Sequence, residues 1–518
     1  MSLVAGRRLS WGRLAVVLVA AAGLVFASLR GWQWFEDSRV SVPEDSWFAG
    51  YVDVTATPQL AFEEPSSGAG PNAVLSFVVA DPDDSCEPSW GGAYDLATAG
   101  EDLDLDRRIA RLRQLGGVPV ASFGGQANTE LAVACDDTDA IYQAYREVVL
   151  RYEIGVVDMD IEGEALADTA AHQRRGQALA RLQDEEDVAV WLTVPVAPHG
   201  LAEDALDLIT TTLDAGVDLA GVNVMTMNYA ESKDADATMA EASIDALEST
   251  HEQLDRLYTE RDDRKTSAQL WRMIGATPML GQNDVAGEIF DLDDASELKQ
   301  FAADHDLGRL SMWSLNRDRE CSDNWPDVTV VSDSCSGLEQ DTGAFAAVLG
   351  DDVEGVPDPD ASETPTQNPT EIPSDDPATS PYQIWNEEQV YLEGERVVWH
   401  QNVYVARWWS SGDVPDDPTV AEGASAWQLL GPVLPGETPE PSPTVAAGTY
   451  PEWKPTEVYT KGDRVQLGDT AFEAQWWNQA ASPDAPSTQD EPSPWRRLTR
   501  KEIAEDSEGE ASTAPSGG

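Results

Sequence analysis

Length and charge limit what this chain can be. It has 518 residues and a formal net charge of −61, a length that predicts two to four domains. So acidic a chain is a poor match for nucleic acid or an anionic membrane surface, and we expect a neutral or polymeric partner.

The N-terminal 40 residues have the pattern of an export segment. Arg7, Arg8 and Arg13 precede an apolar run from residue 14 to about 30, which is intermediate in length between a signal-peptide core and a full membrane span. Residues 1–40 are therefore either a cleaved signal peptide or a membrane anchor with its positive side inside. Either alternative places the rest of the chain outside the cell, secreted or anchored to the outer face of the membrane.

The four cysteines favour disulfides over a metal site. None of them forms a C-x-x-C pair, so a zinc site is not expected, and an even number outside the cytosol suggests disulfide bonds. Cys321 with Cys335 is the favoured pair because it closes a short loop. Cys86 with Cys135 is a second candidate pair.

Residues 41–350 alternate between strand-like and helix-like runs. The strand-like runs are 48–54, 73–79, 118–123, 155–161, 188–194, 222–227, 270–274 and 309–313. The amphipathic runs between them include 103–115, 140–152, 170–182, 239–257 and 295–303. Eight strands alternating with helices over about 300 residues predict an α/β fold, a (β/α)8 TIM barrel, whose active site lies at the carboxyl ends of the strands.

Three acidic residues spaced two apart end the fourth of these strands. Asp158, Asp160 and Glu162 alternate with large apolar residues, so all three side chains should point to one face, with neighbours about 6–7 Å apart. Burying three like charges costs several kcal/mol unless hydrogen bonds or shared protons relieve it. A solvated acidic edge and a metal site are the alternatives, and no histidine lies nearby for the latter.

This D-x-D-x-E motif at the end of a buried strand resembles the signature of family 18 glycoside hydrolases, the chitinases and endo-β-N-acetylglucosaminidases. The resemblance implies that Glu162 is the general acid and then the base, and that Asp160 orients the 2-acetamido group of the substrate. It also implies that Asp158 lies behind Asp160 and shares a proton with it. The acetamide carbonyl, rather than a protein carboxylate, attacks the anomeric carbon.

The resemblance extends to the ends of three other strands. Tyr229 would donate a hydrogen bond to the acetamide oxygen, and Asn228 stands where many members have an aspartate. Trp313 would form the floor under the scissile sugar. The residues with a supporting or substrate-binding role would be Ser122, Gly124, Gly125 and Met227, the two glycines allowing the backbone to approach a ligand.

The C-terminal part contains a repeat with a constant offset of 68 residues, from Trp385 to Trp453 and from Trp427 to Trp495. The repeats occupy residues 381–431 and 448–498. Segments rich in proline, threonine and acidic residues at 351–380 and 432–447 predict disordered linkers, and 499–518 predicts a disordered tail.

Each repeat closely resembles the small all-β chitin-binding modules of bacterial chitinases. An adjacent tryptophan pair is its most specific feature, and on a strand the two would face opposite ways. The resemblance implies that at least one of each pair contacts chitin, and the tyrosines near the start of each repeat are further candidates. These residues are Trp408, Trp409 and Tyr382 in the first repeat and Trp476, Trp477 and Tyr450 in the second.

Together these features predict an exported, monomeric chitinase that binds chitin and chito-oligosaccharides and needs no cofactor. One alternative is an endo-β-N-acetylglucosaminidase that acts on glycoprotein glycans. The other is a non-catalytic chitin-binding protein.

Overall fold

The computed structural model of the chain describes residues 46–64, 70–325, 327–353, 355–357, 374–420, 424–439, 443–488, 491–500, 502–504 and 506. The predicted export segment, most of the first predicted linker and most of the tail lie outside these residues. Within them, none of the helices is both long enough and apolar enough to cross a membrane. The chain divides into two units. The first contains Met1–Leu60, Pro65–Asp95 and Val118–Ser362, and the second contains Ala61–Glu64, Leu96–Gly117 and Glu363–Gly518.

The first unit contains the barrel strands and several short additional strands. In chain order they are β1 (Trp47–Phe48), β2 (Gly50–Asp53), β3 (Ala73–Ala80), β4 (Pro88–Trp90), β5 (Tyr94–Asp95), β6 (Pro119–Gly124), β7 (Val156–Asp160), β8 (Ala189–Pro195), β9 (Leu219–Met225), β10 (Ile274–Ala276), β11 (Gly281–Gln282), β12 (Ile289–Phe290) and β13 (Arg309–Leu310). Most of them are apolar and fully buried, as strands of a parallel sheet covered on both faces must be.

Parallel pairing closes these strands into a barrel. The neighbours run β3–β6–β7–β8–β9–β10–β13, and β13 pairs with β1 while β3 pairs with β2. β1 and β2 continue one another across Ala49, whose backbone N–H donates to Leu310 at 3.1 Å. Taken as one strand, they complete a ring of eight parallel strands, and the predicted TIM barrel is confirmed.

Helices separate the strands of the first unit. They are Leu131–Ala134, Thr138–Tyr152, Gly163–Ala167, Thr169–Glu186, Glu203–Asp214, Met239–Glu260, Ser267–Arg272, Leu292–His305 and Ala344–Gly350. Side-chain caps start several of them: Asp137, Asp168 and Thr238 each accept backbone N–H groups of the first turn. These caps fix where the helices start, and thus where each preceding loop ends.

One predicted strand is wrong. Residues 270–274 were expected to form the seventh strand, but Ser267–Arg272 is a helix and the strand is Ile274–Ala276. Thr266 accepts from the backbone of Gln269, and the Gln269 side chain accepts from the backbone of Thr266, which is a capping box. This T-x-x-Q signature overrides the local apolar character of the segment.

Both candidate disulfides are confirmed. Cys86 is bonded to Cys135, which is 49 residues away, and Cys321 is bonded to Cys335, which is 14 residues away. Each pair has Cα atoms 5.0 Å apart, within the usual range. All four cysteines belong to the first unit.

The second unit contains the helices Leu96–Asp102 and Leu105–Gln114 and two small all-β modules with the same order of strands. The first module has β14 (Val390–Tyr391), β15 (Arg396–Trp399), β16 (Asn402–Ala406), β17 (Ser410–Ser411) and β18 (Trp427–Pro432). The second has β19 (Val458–Tyr459), β20 (Arg464–Leu467), β21 (Thr470–Ala474), β22 (Asn478–Gln479) and β23 (Trp495–Arg497). Each module pairs three strands in one antiparallel sheet and two in another. The predicted repeat is therefore a repeat of structure, with Tyr391–Trp427 and Tyr459–Trp495 as matching edge-to-face pairs.

Candidate active site

Asp158 in β7 lies at the centre of a buried polar cluster inside the barrel. Its Oδ1 accepts from Arg309 Nη1 and from Thr193 Oγ1, both at 2.6 Å. Its Oδ2 accepts from Ser122 Oγ at 2.7 Å and from Tyr51 OH at 2.8 Å. Four donors from four other strands fit an ionised carboxylate, which only accepts. The expected shared proton between Asp158 and Asp160 is not supported, because both oxygens of Asp158 already accept two hydrogen bonds.

Asp160 ends the same strand in a different environment. Its side chain is 5% exposed, and its Oδ1 has no hydrogen-bond partner in the described part of the chain. Burial, followed by the charges of Glu162 and Asp158, raises the pKa of Asp160 well above its usual range, and Arg309 opposes this shift. Asp160 therefore offers an unpaired polar oxygen to a ligand.

Glu162 follows β7 and precedes the short helix Gly163–Ala167. It is half-buried. Burial, and after it the negative charge of Asp284, raises the pKa of Glu162 to about 7. A carboxylic acid with this pKa can both give and take a proton near neutral pH, which is the property that a general acid–base group needs.

Asp284 was missed in the sequence, where it is one of 94 acidic residues. It follows β11, and its Oδ2 accepts from Asn228 Nδ2 at 2.9 Å. Asn228 has a φ of +55°, and its Oδ1 accepts from the backbone of Val285 at 3.3 Å. An aspartate at 228, which many family 18 members have, would place two carboxylates against one another here, so the asparagine and Asp284 fit as a pair.

Tyr229 is buried just after β9 and has partners within the protein. Its hydroxyl is 3.1 Å from Ser243 Oγ, on the helix Met239–Glu260, and the residue is 4% exposed. Its backbone N–H donates to Glu288 at 2.9 Å. The Tyr229 hydroxyl thus has a protein partner, and its contact with the substrate stays a prediction.

Partly exposed aromatic rings line the barrel next to the carboxylates. Trp313 and Phe77 are stacked, with ring centroids 5.5 Å apart and planes inclined by 19°. Tyr51 meets Trp313 edge-on at 6.0 Å. Trp313 was predicted as the floor of a sugar site. Phe77 was missed because it lies in the apolar strand β3, where it is typical of a core residue. Met227 is also partly exposed, just after β9.

Gly124 and Gly125 approach the protein itself rather than an open space. They have φ values of +105° and +82°. A Cβ on Gly124 would lie 2.1 Å from the backbone oxygen of Asp160, and one on Gly125 would lie 2.7 Å from the Phe77 ring. Both positions thus require glycine for packing within the protein, and their approach to a ligand stays a prediction. The glycines let the end of β6 pack against Asp160 and Phe77.

In the described ranges, no three histidine, cysteine or acidic side chains are grouped so that they could hold a metal ion. The site is built from carboxylates, hydroxyls, one guanidinium and aromatic rings. Groups of these kinds can exchange protons and offer flat apolar faces for stacking.

The two modules present their tryptophans differently. Trp476 and Trp477 are 42% and 62% exposed, whereas Trp408 and Trp409 are partly buried. Trp408 packs against the core of its own module. Adjacent exposed rings are rare on a soluble surface and mark a binding face.

The two candidate tyrosines are half-buried and paired. Tyr382 OH accepts from Arg396 Nη1 at 2.8 Å. Tyr450 OH donates to Asp506 at 2.7 Å, and burial followed by Asp506 raises its pKa to about 12. Both hydroxyls thus have protein partners. Their predicted contact with chitin stays a prediction.

Comparisons with known proteins agree with this geometry. The chain is 35% identical over 309 residues to the probable bifunctional chitinase/lysozyme of Escherichia coli (strain K12), and 34% identical over 310 residues to endochitinase 11 of Metarhizium anisopliae. Each match covers 55% of this chain. The matched region is 33% of the length of the first relative and 57% of the length of the second. The chain therefore spans only part of the length of these relatives.

The structure is similar to the crystal structure of the catalytic domain of the hyperthermophilic chitinase from Pyrococcus furiosus. The TM-score is 0.52 and the identity 28%, over 59% of this chain and 94% of that domain. Residues 452–496 match the model of carbohydrate-binding module family 5/12. The match falls on the second repeat, and the first repeat stays a prediction as a chitin-binding module. The chain therefore combines a TIM barrel similar to that of chitinases with a C-terminal carbohydrate-binding module of family 5/12.

Proposed function

We propose that the protein is a chitinase that hydrolyses β-1,4 bonds between N-acetylglucosamine units of chitin and chito-oligosaccharides. One observation carries the proposal: a glutamate with a pKa of about 7 stands next to a buried aspartate with an unpaired oxygen, beside a stacked aromatic floor. Its barrel is similar to those of chitinases.

The environments of the three carboxylates support a substrate-assisted, retaining mechanism. Protonated Glu162 donates to the glycosidic oxygen while the 2-acetamido carbonyl of the same substrate attacks the anomeric carbon. Asp160 accepts the acetamide N–H on its unpaired oxygen and stabilises the oxazolinium ion. Glu162 then deprotonates the water that opens this intermediate, so the configuration is retained. Asp158 and Arg309 hold β7, which carries Asp160 and leads into Glu162.

The aromatic rings supply the sugar contacts in this proposal. The apolar face of a pyranose packs on the flat face of Trp313, and Phe77 stacks against that ring. Trp476 and Trp477 on the second module hold the enzyme on solid chitin. Chitin lies outside the cell, and we propose that residues 14–30 direct export or anchor the chain at the outer face of the membrane.

Product analysis tests this function. Purified protein is incubated with N-acetylchitohexaose, with chitin and with a glycoprotein carrying high-mannose glycans. We expect shorter chito-oligosaccharides from the first two, with the β anomer formed first by proton NMR. Release of glycans from the glycoprotein without cleavage of chitin would favour an endo-β-N-acetylglucosaminidase. Binding of chitin without any product would favour a non-catalytic protein.

A further inference from the structure

The tryptophan pairs of the two modules occupy equivalent positions but differ in solvent exposure. Trp409 and Trp477 correspond across the repeat, and so do Trp408 and Trp476. In the first module Trp408 packs on its own core and Trp409 is partly buried. In the second module both rings are open to solvent.

A turn of the first module lies against the second module. Leu392 packs on the core cluster of the second module, which contains Phe472 and Trp495. Glu395 Oε1 is 3.0 Å from Arg497 Nη1, with side chains 12% and 28% exposed. A partly buried pair of this kind fixes orientation as well as contact.

Two further contacts extend this interface. The backbone N–H of Trp409 donates to Ser487 Oγ at 3.1 Å. Leu392, Glu393, Ser487 and Arg497 line one common cavity. The segment with the tryptophan pair of the first module is thus itself part of the contact with the second module.

Residue differences between equivalent positions of the two modules match this contact. Leu429 packs on the core of the first module, and the equivalent position of the second module is Arg497, which reaches to Glu395. The apolar cover missing from the second core is supplied by Leu392. The equivalent of Leu392 in the second module is Thr460, in a polar, exposed turn at residues 460–463. The contact is therefore asymmetric, because the turn of the first module is apolar at this position and the turn of the second module is not.

We propose that the first module docks on the second through residues 392–395, and that the docked pair has a single open aromatic face, Trp476 with Trp477. The identity of the ligand, a β-1,4-linked N-acetylglucosamine polymer, rests on the proposed function. The docking itself does not. The first module thus acts as a support that fixes the orientation of the face, rather than as a second equal binding site.

Matched tryptophan variants of the full chain test the single face. Adsorption isotherms on chitin are compared for the wild type, Trp409→Ala and Trp477→Ala. We expect Trp477→Ala to weaken adsorption about tenfold or more and Trp409→Ala to weaken it less than about twofold, because a central exposed anchor carries most of such a binding energy. Equal losses would overturn the single face.

Cross-linking tests the docking independently of any ligand. Within the described residues every cysteine is in a disulfide, so Glu393→Cys with Ser487→Cys introduces two new thiols in one cavity for a short bis-maleimide. We expect efficient cross-linking within the chain. Adding Leu392→Lys should lower the cross-linking yield at least severalfold, and adding the matched Thr460→Lys should leave the yield unchanged.

Exchanging the charges of Glu395 and Arg497 tests whether a lower cross-linking yield comes from lost docking rather than from misfolding. Glu395→Arg should lower the cross-linking yield, and Arg497→Glu added to it should restore the yield. Absence of cross-linking in the parent pair, equal yields with Leu392→Lys and Thr460→Lys, or absence of rescue would each overturn the docking. If the wild type does not adsorb to chitin, the proposed function fails, and the cross-linking result still decides whether the modules dock.

Discussion

Arg309 makes the two aspartates of β7 chemically different. It is fully buried, its guanidinium lies 5.0 Å from the Trp47 ring and 5.6 Å from the Trp191 ring, and it pairs with Asp158. The charge of Asp158 is thereby compensated, while among the described residues no hydrogen-bond donor reaches Oδ1 of Asp160. Asp158 thus stabilises the packing around the strand, and Asp160 is the aspartate that faces the substrate in the proposed mechanism.

This pairing predicts the effect of Arg309→Met. The variant leaves a buried carboxylate without its cation, so the free energy of unfolding in urea should fall by about 3–5 kcal/mol. The double variant Asp158→Asn with Arg309→Met should recover most of that loss, since no charge remains buried. A double variant as unstable as Arg309→Met alone would show that the loss comes from packing.

We expect Asp284 to contribute to the pH range over which Glu162 acts as an acid. Burial is the larger cause of the raised pKa of Glu162 and the charge of Asp284 the smaller. Asp284→Asn removes the second cause, so the pKa of Glu162 should fall and the alkaline limb of kcat/KM should move to lower pH. The control is Asp293→Asn, at an exposed position in the first turn of the helix Leu292–His305. An unmoved limb, or one moved upward, would contradict this role.

Residues that lie together only in the fold could not be found from the sequence. Asp158, Asp160 and Glu162 have a fixed spacing on one strand, and that spacing is visible in the sequence. Asp284 comes from a loop far along the chain, and its relation to Glu162 requires the closed barrel. Arg309 was hidden for a different reason, because a charged residue in a strand is typically exposed.

The turn after β6 limits the position of the Phe77 ring, and thus of the aromatic floor that Phe77 forms with Trp313. Gly125 has a φ of +82° and a Cβ there would enter the Phe77 ring, whereas Gly163 has a φ of +56° with nothing within 4 Å of its Cβ position. Gly125→Ala and Gly163→Ala therefore both carry left-handed strain, of about 1–2 kcal/mol. Only the first also displaces the floor.

We therefore expect Gly163→Ala to lower the thermal midpoint modestly and to keep KM for N-acetylchitohexaose. Gly125→Ala should lower the midpoint further and raise KM, because the ring that supports Trp313 must move. Thermal unfolding and steady-state kinetics of both variants check this. Equal KM values would show that the turn does not position the floor.

Most of the barrel was predictable because its strands are short apolar runs at regular intervals. The seventh strand was misplaced because Leu270 and Trp271 are apolar and resemble a strand, whereas the capping box before them starts a helix. The helix Glu203–Asp214 was missed, although its acidic first turn and its apolar residues at helical spacing, Ala205, Leu208 and Ile209, are signals that indicate it. The contact between the modules could not be predicted, because it depends on Leu392 facing another module.

At the scale of the whole molecule, the exposed tryptophans should matter for solid chitin and not for soluble substrate. Trp476→Ala with Trp477→Ala should leave kcat/KM on N-acetylchitohexaose unchanged and reduce hydrolysis of crystalline chitin, because the aromatic face adds binding and no chemistry. Equal losses on both substrates would mean that these rings support the fold of the enzyme.

Salt separates stacking from ionic adsorption in the same assay. The chain has a net charge of −61, and screening lengths fall from about 8 Å at physiological ionic strength to about 3 Å in 1 M salt. Adsorption of the wild type through stacked rings should survive 1 M NaCl. Desorption by salt alone would show that the contact is electrostatic.

The role of Glu162 as the acid–base group of a chitinase can be tested by comparing turnover in three proteins. The kcat for N-acetylchitohexaose is compared for the wild type, Glu162→Gln and Glu164→Gln, the last at an exposed position two residues on. We predict that Glu162→Gln keeps the fold and lowers kcat by about 100-fold or more, while Glu164→Gln stays within about twofold of the wild type. A Glu162→Gln variant that folds normally and retains more than about a tenth of the wild-type kcat would contradict the claim.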